Sequence, residues 1–324
     1  MKTIYSILLF SVALLPAGVQ QANAAPRVGA DLGKPAYEKI GDTRRRLSEQ
    51  HLTMAGVPAQ PLLGKSQYSI FKPTPEALMR EMSTDRPDKT ESAYSVDAGH
   101  FQIEMDIASY SHDRHNADRD GKVVRTWAVA PMNLKLGLLN NVDLQLTLST
   151  YNHERTSEPG ASVLRKRGFG DVTTRLKWNL WGNDGGTTAL ALMPYLKFPT
   201  NQDNLGNTAV EGGLIIPLAV ELPAGWSMGV MTQFDIKRDE SASSRHPEFV
   251  NTITFGHDIV GNLGGYMEFY SNVSTESGSK WVGTVDLGLT YAISKNIQLD
   301  AGINIGVTRS ADDLNPFIGL SWRF

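Results

Sequence analysis

The stretch Ile297-Gln298-Leu299-Asp300-Ala301-Gly302-Ile303-Asn304-Ile305 decides the fold, because apolar and polar residues alternate along all of it. The same alternation runs from Val142 to Ser149 and from Phe101 to Ile107. Successive side chains of a β-strand point to opposite faces, so each stretch has one apolar face and one polar face. A chain made of such stretches is predicted to be all-β.

Twelve segments between residue 100 and the end share this pattern. They cover residues 100–112, 123–137, 142–151, 171–180, 187–198, 209–222, 226–238, 249–259, 263–275, 280–292, 297–308 and 314–324. Strands of a soluble sandwich also alternate, but they are usually only ~5–6 residues long, whereas a membrane strand needs ~9–11. Short turns alternate with long polar loops, which is typical of an outer-membrane protein. The sequence therefore predicts a twelve-stranded antiparallel transmembrane β-barrel over residues 100–324.

Aromatic residues occur near the ends of the apolar strand faces, where barrels carry girdles at the two membrane interfaces. They are Trp178, Trp226, Phe249, Trp281, Tyr291, Trp322 and Phe324. The last strand ends on Phe324 and resembles the insertion signal of outer-membrane proteins. We therefore expect the outer membrane of a Gram-negative cell as the location, with its lipid bilayer and the barrel-assembly machinery as partners.

Two regions precede the barrel. Lys2, the apolar run from Ile4 to Leu15 and Ala22-Asn23-Ala24 are typical of a secretory signal peptide over residues 1–24. Residues 25–99 are predicted to form a mostly irregular N-terminal extension with helices near 35–55 and 75–81. Because twelve is even, both ends of the barrel fall on the short-turn side, so this extension is expected in the periplasm. It is expected to contribute little to the stability of the barrel.

Composition and motifs argue against several classes of function. The chain has 324 residues, no cysteine and a formal charge of -3, which excludes disulfides and argues against nucleic-acid binding. Gly225-Trp226-Ser227-Met228-Gly229 matches the G-x-S-x-G motif, but the motif opens a strand instead of the helix that a nucleophile elbow needs. Residues 116–121 resemble half a calcium loop whose final ligand is missing. The sequence predicts no enzyme, no cofactor and no metal site.

Charged residues at the polar positions of the strands are predicted to face the lumen, because Arg or Lys facing lipid at mid-depth costs ~2–4 kcal/mol. These candidate pore-lining residues are Glu104, Asp106, Arg125, Lys135, Asp143, Arg175, Lys177, Lys197, Glu211, Glu221, Asp235, Lys237, Asp258, Glu268, Asp286, Asp300 and Arg323. They either pair across the lumen and seal it or line a wet pore. Arg125, Lys135, Arg175 and Lys177 form a predicted basic stripe that would favour anions modestly if the lumen is open.

Two motifs carry a family resemblance. Residues 82–92, MSTDRPDKTES, followed by Ala98-Gly99-His100-Phe101-Gln102-Ile103-Glu104, resemble the opening of the MetA-pathway-of-phenol-degradation family of outer-membrane transporters. Residues 168–172, GFGDV, are similar to its second recurrent motif. The resemblance extends from about residue 82 to the end. It implies a barrel with a transport or channel role linked to aromatic compounds, and it does not fix a substrate.

The leading hypothesis for function is an outer-membrane channel that passes small solutes, with aromatic or anionic solutes as candidates, by passive diffusion. The alternative is a closed barrel that anchors or scaffolds a periplasmic partner through residues 26–99. A barrel hydrolase is the third possibility, and it would require a serine and a histidine in contact near the outer rim.

Overall fold

The computed structural model describes residues 64–114, 116, 119, 121–239 and 243–324, and the predicted signal peptide and the predicted helix near 35–55 lie outside them. These residues contain fifteen strand segments. They are β1 (Phe101–Asp113), β2 (Val123–Val129), β3 (Met132–Leu139), β4 (Val142–Leu148), β5 (Tyr151–Ser157), β6 (Leu164–Gly168), β7 (Val172–Trp181), β8 (Thr188–Phe198), β9 (Glu211–Glu221), β10 (Trp226–Arg238), β11 (Arg245–Val260), β12 (Leu263–Ser274), β13 (Val282–Ser294), β14 (Ile297–Gly306) and β15 (Leu314–Arg323).

The sheet closes on itself, because β15 pairs antiparallel with β1 as well as with β14. Phe101 and Phe324 exchange backbone hydrogen bonds of 3.0 and 2.9 Å at the seam, and their rings stack with centroids 6.0 Å apart. A closed barrel has no unpaired edge, which is what a β-structure needs in order to cross lipid. The predicted twelve-stranded antiparallel barrel is confirmed, with β2/β3, β4/β5 and β6/β7 each forming one interrupted strand.

The three interruptions lie on neighbouring strands and shift the alternation of side chains. Ala130 separates β2 from β3 and has a positive φ of 54°. The facing strand β1 has a matching irregularity between Asp106 and Ala108. Val129 and Met132 consequently face the same side although they are three positions apart. The segments β2, β5 and β6 form a three-stranded extension at the long-loop end, here called the outer ribbon.

The outer surface carries the expected aromatic residues. Trp178, Trp226, Tyr291, Trp322 and Phe324 are each about half exposed near the short-turn end. Trp127 and Tyr151 are similarly exposed towards the long-loop end. Aromatic side chains prefer the membrane interface because an apolar ring can carry a polar edge. The molecule therefore has the outer surface of a transmembrane barrel.

Residues 64–99 contain only short helical turns before the first strand. Three-residue 3-10 turns occur at Lys65–Gln67 and Glu76–Leu78. The predicted helix over 75–81 is wrong beyond this second turn, because Thr74 makes no side-chain cap and its backbone N–H donates to the carbonyl of Ala98 at 2.9 Å. No helix among the described residues is long and apolar enough to cross a membrane.

Candidate functional site: the charged barrel interior

Residues 83–97, here called the lumen segment, run inside the barrel. Arg86 contacts side chains of β1 and β14, Lys89 contacts β13, and Glu91 contacts β7. Nearer the short turns, Asn179 donates to the carbonyl of Ala93 at 2.8 Å. This part of the N-terminal extension is thus integrated with the wall. The expectation that residues 26–99 contribute little to the barrel is wrong for the lumen segment.

Arg86 bridges two acidic residues of the wall. In the strand register, Gly319 lies opposite Asp106 on one side and opposite Asp300 on the other. The Arg86 guanidinium donates to Asp300 Oδ1 at 2.7 Å and also to Asp106. A Cβ at Gly319 would lie only 2.0 Å from this guanidinium. The glycine therefore provides the space in which one cation neutralises carboxylates from two strands.

Asp85, the neighbour of Arg86 in the chain, contacts two basic residues of the wall. Its carboxylate accepts from Lys177 Nζ at 2.6 Å and from Lys135, and both lysines are almost fully buried. Burial opposes ionisation of this carboxyl, but the charges of Lys135 and Lys177 outweigh burial and hold the pKa of Asp85 far below its usual range. Asp85 is therefore a buried anion between two cations, of which Lys135 also pairs with Glu104 of the wall.

Lys89 and Thr90 bind a pair of acids that face each other across two strands. Glu268 on β12 lies opposite Asp286 on β13. Lys89 Nζ lies 3.0 Å from Asp286, while the backbone N–H of Lys89 donates to Glu268 at 2.8 Å. The hydroxyl of Thr90 donates to the other oxygen of Glu268 at 2.5 Å. Two like charges in one register position are unfavourable, so these contacts compensate their repulsion.

Two further carboxylates of the lumen segment have raised pKa values. Burial, followed by the charge of Glu268, raises the pKa of Asp88 well above its usual range. Burial also raises the pKa of Glu91, although Arg175 forms an ion pair with it. Four charged residues of the lumen segment face wall residues of opposite charge, namely Asp85, Arg86, Lys89 and Glu91.

The structure places most of the predicted lumen residues inside. Nine are almost fully buried, namely Glu104, Lys135, Asp143, Lys177, Asp235, Glu268, Asp286, Asp300 and Arg323. Asp106 and Arg175 contact the lumen segment. Towards the long loops, Lys197 pairs with Asp171, Lys237 with Glu248, and Glu211 accepts from Asn207.

Arg125 is the exception and requires a correction. It pairs with His112 in a register whose next same-face positions are Tyr110 and the exposed Trp127. The slip at Ala130 moves Arg125 to the outer face, whereas Lys135 beyond the slip remains inside. The predicted basic stripe therefore loses one member. Its other three members, Lys135, Arg175 and Lys177, are paired with Asp85 or Glu91 of the lumen segment.

The residues that complete the barrel interior are not among the predicted lumen residues. Asp85, Arg86, Lys89 and Glu91 belong to the motif that carries the family resemblance, yet they were assigned to a separate extension. One available signal was the high density of charged residues in this motif, which precedes a barrel wall rich in both acidic and basic residues. Alternation fixes the face of a strand residue, but it contains no information about an irregular segment.

The lumen segment does not fill the barrel completely. A cavity of about 190 Å³ remains beside it. The lining residues come from the segment and from β1, β3, β4 and β7, with Pro131 at the strand break, and they are Asp85, Arg86, Glu91, Glu104, Asp106, Pro131, Met132, Asn133, Thr147 and Arg175. Six of these ten residues are charged, so the remaining space is polar.

The described residues contain no serine–histidine hydrogen bond of the kind a hydrolase needs. Ser227 donates to the carbonyl of Gly256, and Ser244 donates to Asp239. His246 contacts Asp239 at 2.7 Å and Glu248 at 3.4 Å. Three residues at the long-loop end have metal-ligating atoms within 4.8 Å of one another, namely Asp239, His246 and Glu276.

A closed antiparallel barrel with an apolar, aromatic-girdled exterior and a charged interior defines an outer-membrane β-barrel protein. A family model described as "Putative MetA-pathway of phenol degradation" matches residues 84–324, so the chain belongs to that family. The match begins at the lumen segment and includes the whole barrel, which confirms the resemblance found in the sequence.

Solved structures match this chain at low sequence identity. An outer membrane channel from Pseudomonas putida F1 is 12% identical, with a TM-score of 0.52 over 75% of this chain and 100% of that chain. The NanC porin is 12% identical with a TM-score of 0.44, covering 68% of this chain and 98% of its own. The CymD monoaromatic hydrocarbon channel is 8% identical with a TM-score of 0.41, covering 69% and 88%. No curated protein matches the sequence.

Proposed function

We propose that this protein is a passive outer-membrane channel whose bore is set by the lumen segment. The observation that supports this is the polar cavity between that segment and β1, β3, β4 and β7. Ion pairs on several sides hold the segment against the wall, so the space beside it has a defined shape. Diffusion down a gradient through such a space needs no cofactor and no catalytic group.

Small aromatic solutes are the proposed cargo. The family description refers to phenol degradation, which supports an aromatic compound. The charge of the cavity supports neutral over anionic solutes, because its four carboxylates are balanced. Arg86 and Arg175 line the cavity with them, and Lys135 and Lys177 lie directly behind Asp85. A balanced lumen gives a passing anion little net attraction.

Single-channel recording of the full-length protein in planar bilayers tests the channel directly. We expect a small, steady conductance. Thr147→Trp should reduce it, because Thr147 lines the cavity and a larger side chain would occupy that space. Leu146→Trp is the matched control, since the neighbouring side chain lies on the opposite, outer face. An unchanged conductance in Thr147→Trp would contradict this permeation path.

A closed barrel that anchors a periplasmic partner is the second candidate. It is supported by the number of buried ion pairs that join the lumen segment to the wall, since a sealed interior needs such pairs. In this case the wild-type protein would carry no current, and liposomes containing it would not swell in small sugars. The part of the extension before residue 64 would then be the binding region, and we place it in the periplasm.

A further inference from the structure

Three arginines lie opposite one another in one row across the outer ribbon, and a fourth, Arg167, lies beside this row. The strand register sets Arg125 of β2 directly opposite Arg155 of β5, and Arg155 directly opposite Arg165 of β6. Residues opposite each other in antiparallel strands share a face, and neighbouring strands are ~4.8 Å apart. Arg167, two residues beyond Arg165, lies on the same face opposite His153. Four guanidinium groups therefore share one small surface.

This surface faces away from the lumen, on the side that meets lipid lower down the barrel. Trp127 lies in the same row as Arg167, with His153 between them, and Tyr151 lies in the following row, opposite Val129. Both aromatic side chains are about half exposed. Arg155, Arg165 and Arg167 are exposed as well. Along the strand, Arg125 is about 7 Å further towards the long loops than Trp127.

No carboxylate of the described residues forms an ion pair with any of these four guanidinium groups. The carboxylate of Asp203 accepts instead from the backbone N–H of Arg167 at 3.2 Å. The acids of the outer ribbon are engaged elsewhere, since Glu154 pairs with Lys166 at 3.4 Å and Glu158 with Lys122 at 3.7 Å. Like charges directly opposite each other destabilise a pair of strands. An external anion would relieve this repulsion.

We propose that the arginine row binds the phosphate groups of a phosphorylated lipid in the outer leaflet. Trp and Tyr side chains mark the headgroup level of a membrane, and the arginines lie just beyond this level at the long-loop end. Guanidinium groups bind phosphate oxygens through two parallel hydrogen bonds. The acyl chains of the same lipid would extend past Trp127 and Tyr151 along the apolar wall. The position at the lipid-facing interface favours a lipid over a soluble phosphate.

The test is titration of the detergent-solubilised full-length protein with bisphosphorylated lipid A, followed by native mass spectrometry. The double variant Arg155→Gln/Arg165→Gln should bind about thirtyfold more weakly, since each of the two basic residues at a membrane surface contributes on the order of 1 kcal/mol. The double variant Lys122→Gln/Lys166→Gln is the control. It removes the same charge from the same region but spares the row, and it should bind like the wild type.

Two further probes identify the source of the phosphate. Lipid A stripped of its phosphates should bind the wild type as weakly as the bisphosphorylated lipid binds the arginine variant. Inorganic phosphate at millimolar concentration should not displace the bisphosphorylated lipid. Equal binding by both double variants, equal binding of the stripped lipid, or displacement by inorganic phosphate would each overturn the proposal. If the double variant does not fold, as judged by heat-modifiable gel mobility, Arg165→Gln alone replaces it.

Discussion

Lys177 Nζ lies 2.6 Å from Oδ1 of Asp85, so a barrel strand and a residue that precedes the barrel are joined by a buried ion pair. Lys135 contacts the other oxygen of the same carboxylate. One acid of the lumen segment therefore contributes counter-charge to two strands of the wall, and Lys135 has Glu104 as a second partner. This arrangement makes the segment part of the structure of the barrel.

Asp85→Asn should loosen the lumen segment and destabilise the protein. The substitution removes the buried ion-pair partner of Lys177 and leaves Lys135 with Glu104 only, and breaking a buried ion pair typically costs ~3–5 kcal/mol. Urea unfolding of the refolded protein in detergent micelles measures the stability. Single-channel recording should show a larger or more variable conductance. Unchanged stability and conductance would mean that Asp85 does not hold the segment.

Asp88→Asn should change the stability of the protein by an amount that depends on pH. The pKa of Asp88 is raised in the folded protein above its value of ~3.9 in the unfolded chain. The protonated carboxyl therefore stabilises the fold fully below pH ~3.9, and this stabilisation is lost as the pH rises through the folded-state pKa. A neutral amide avoids that loss. The variant should thus be more stable than the wild type at pH 8, with a much smaller difference at pH 4. Equal unfolding curves at both pH values would contradict the assignment.

Gly319→Ala should displace Arg86 from its two acids. The new Cβ would lie 2.0 Å from Nη2 of Arg86, so the guanidinium must move away from Asp106 and Asp300. We expect lower stability in urea and an altered conductance. Ser321→Ala is a suitable control on the same strand and face, because its buried hydroxyl makes no hydrogen bond. If both variants match the wild type, the close fit at Gly319 is unimportant.

The barrel could be predicted from sequence because period-two alternation sets the face of each strand residue locally. Two features could not be predicted from the sequence, for physical reasons. The side of Arg125 depends on the irregular backbone at Ala130, and alternation counted along the chain continues straight through that position. The place of Asp85 and Arg86 depends on contacts with strands up to 214 residues away, such as that of Arg86 with Asp300. Neither feature leaves a local pattern.

Phe324→Ala should impair assembly in the outer membrane. Phe324 is about half exposed on the outer surface and stacks on Phe101 where the barrel closes. An aromatic residue at the end of the last strand is the feature that suggested recognition by the barrel-assembly machinery. The variant should reach lower levels in outer-membrane fractions while still refolding in micelles. Normal outer-membrane levels would contradict this role.

The ion selectivity of the channel provides the last prediction. The sequence suggested a modest preference for anions from a basic stripe, but Arg125 lies outside and the other three members are paired with acids. We now expect the wild type to show a reversal potential near zero in a potassium chloride gradient. A single uncompensated charge acts strongly in a narrow channel of partly low dielectric.

Removing one charge at a time should therefore shift the selectivity in opposite directions. Arg175→Gln should make the channel prefer cations, because Glu91 loses its partner. Glu91→Gln should make it prefer anions, because Arg175 then remains alone beside the cavity. The double variant Arg175→Gln/Glu91→Gln restores the balance and should return the reversal potential towards zero. Reversal potentials that are the same in all four proteins would show that ions do not pass beside Arg175.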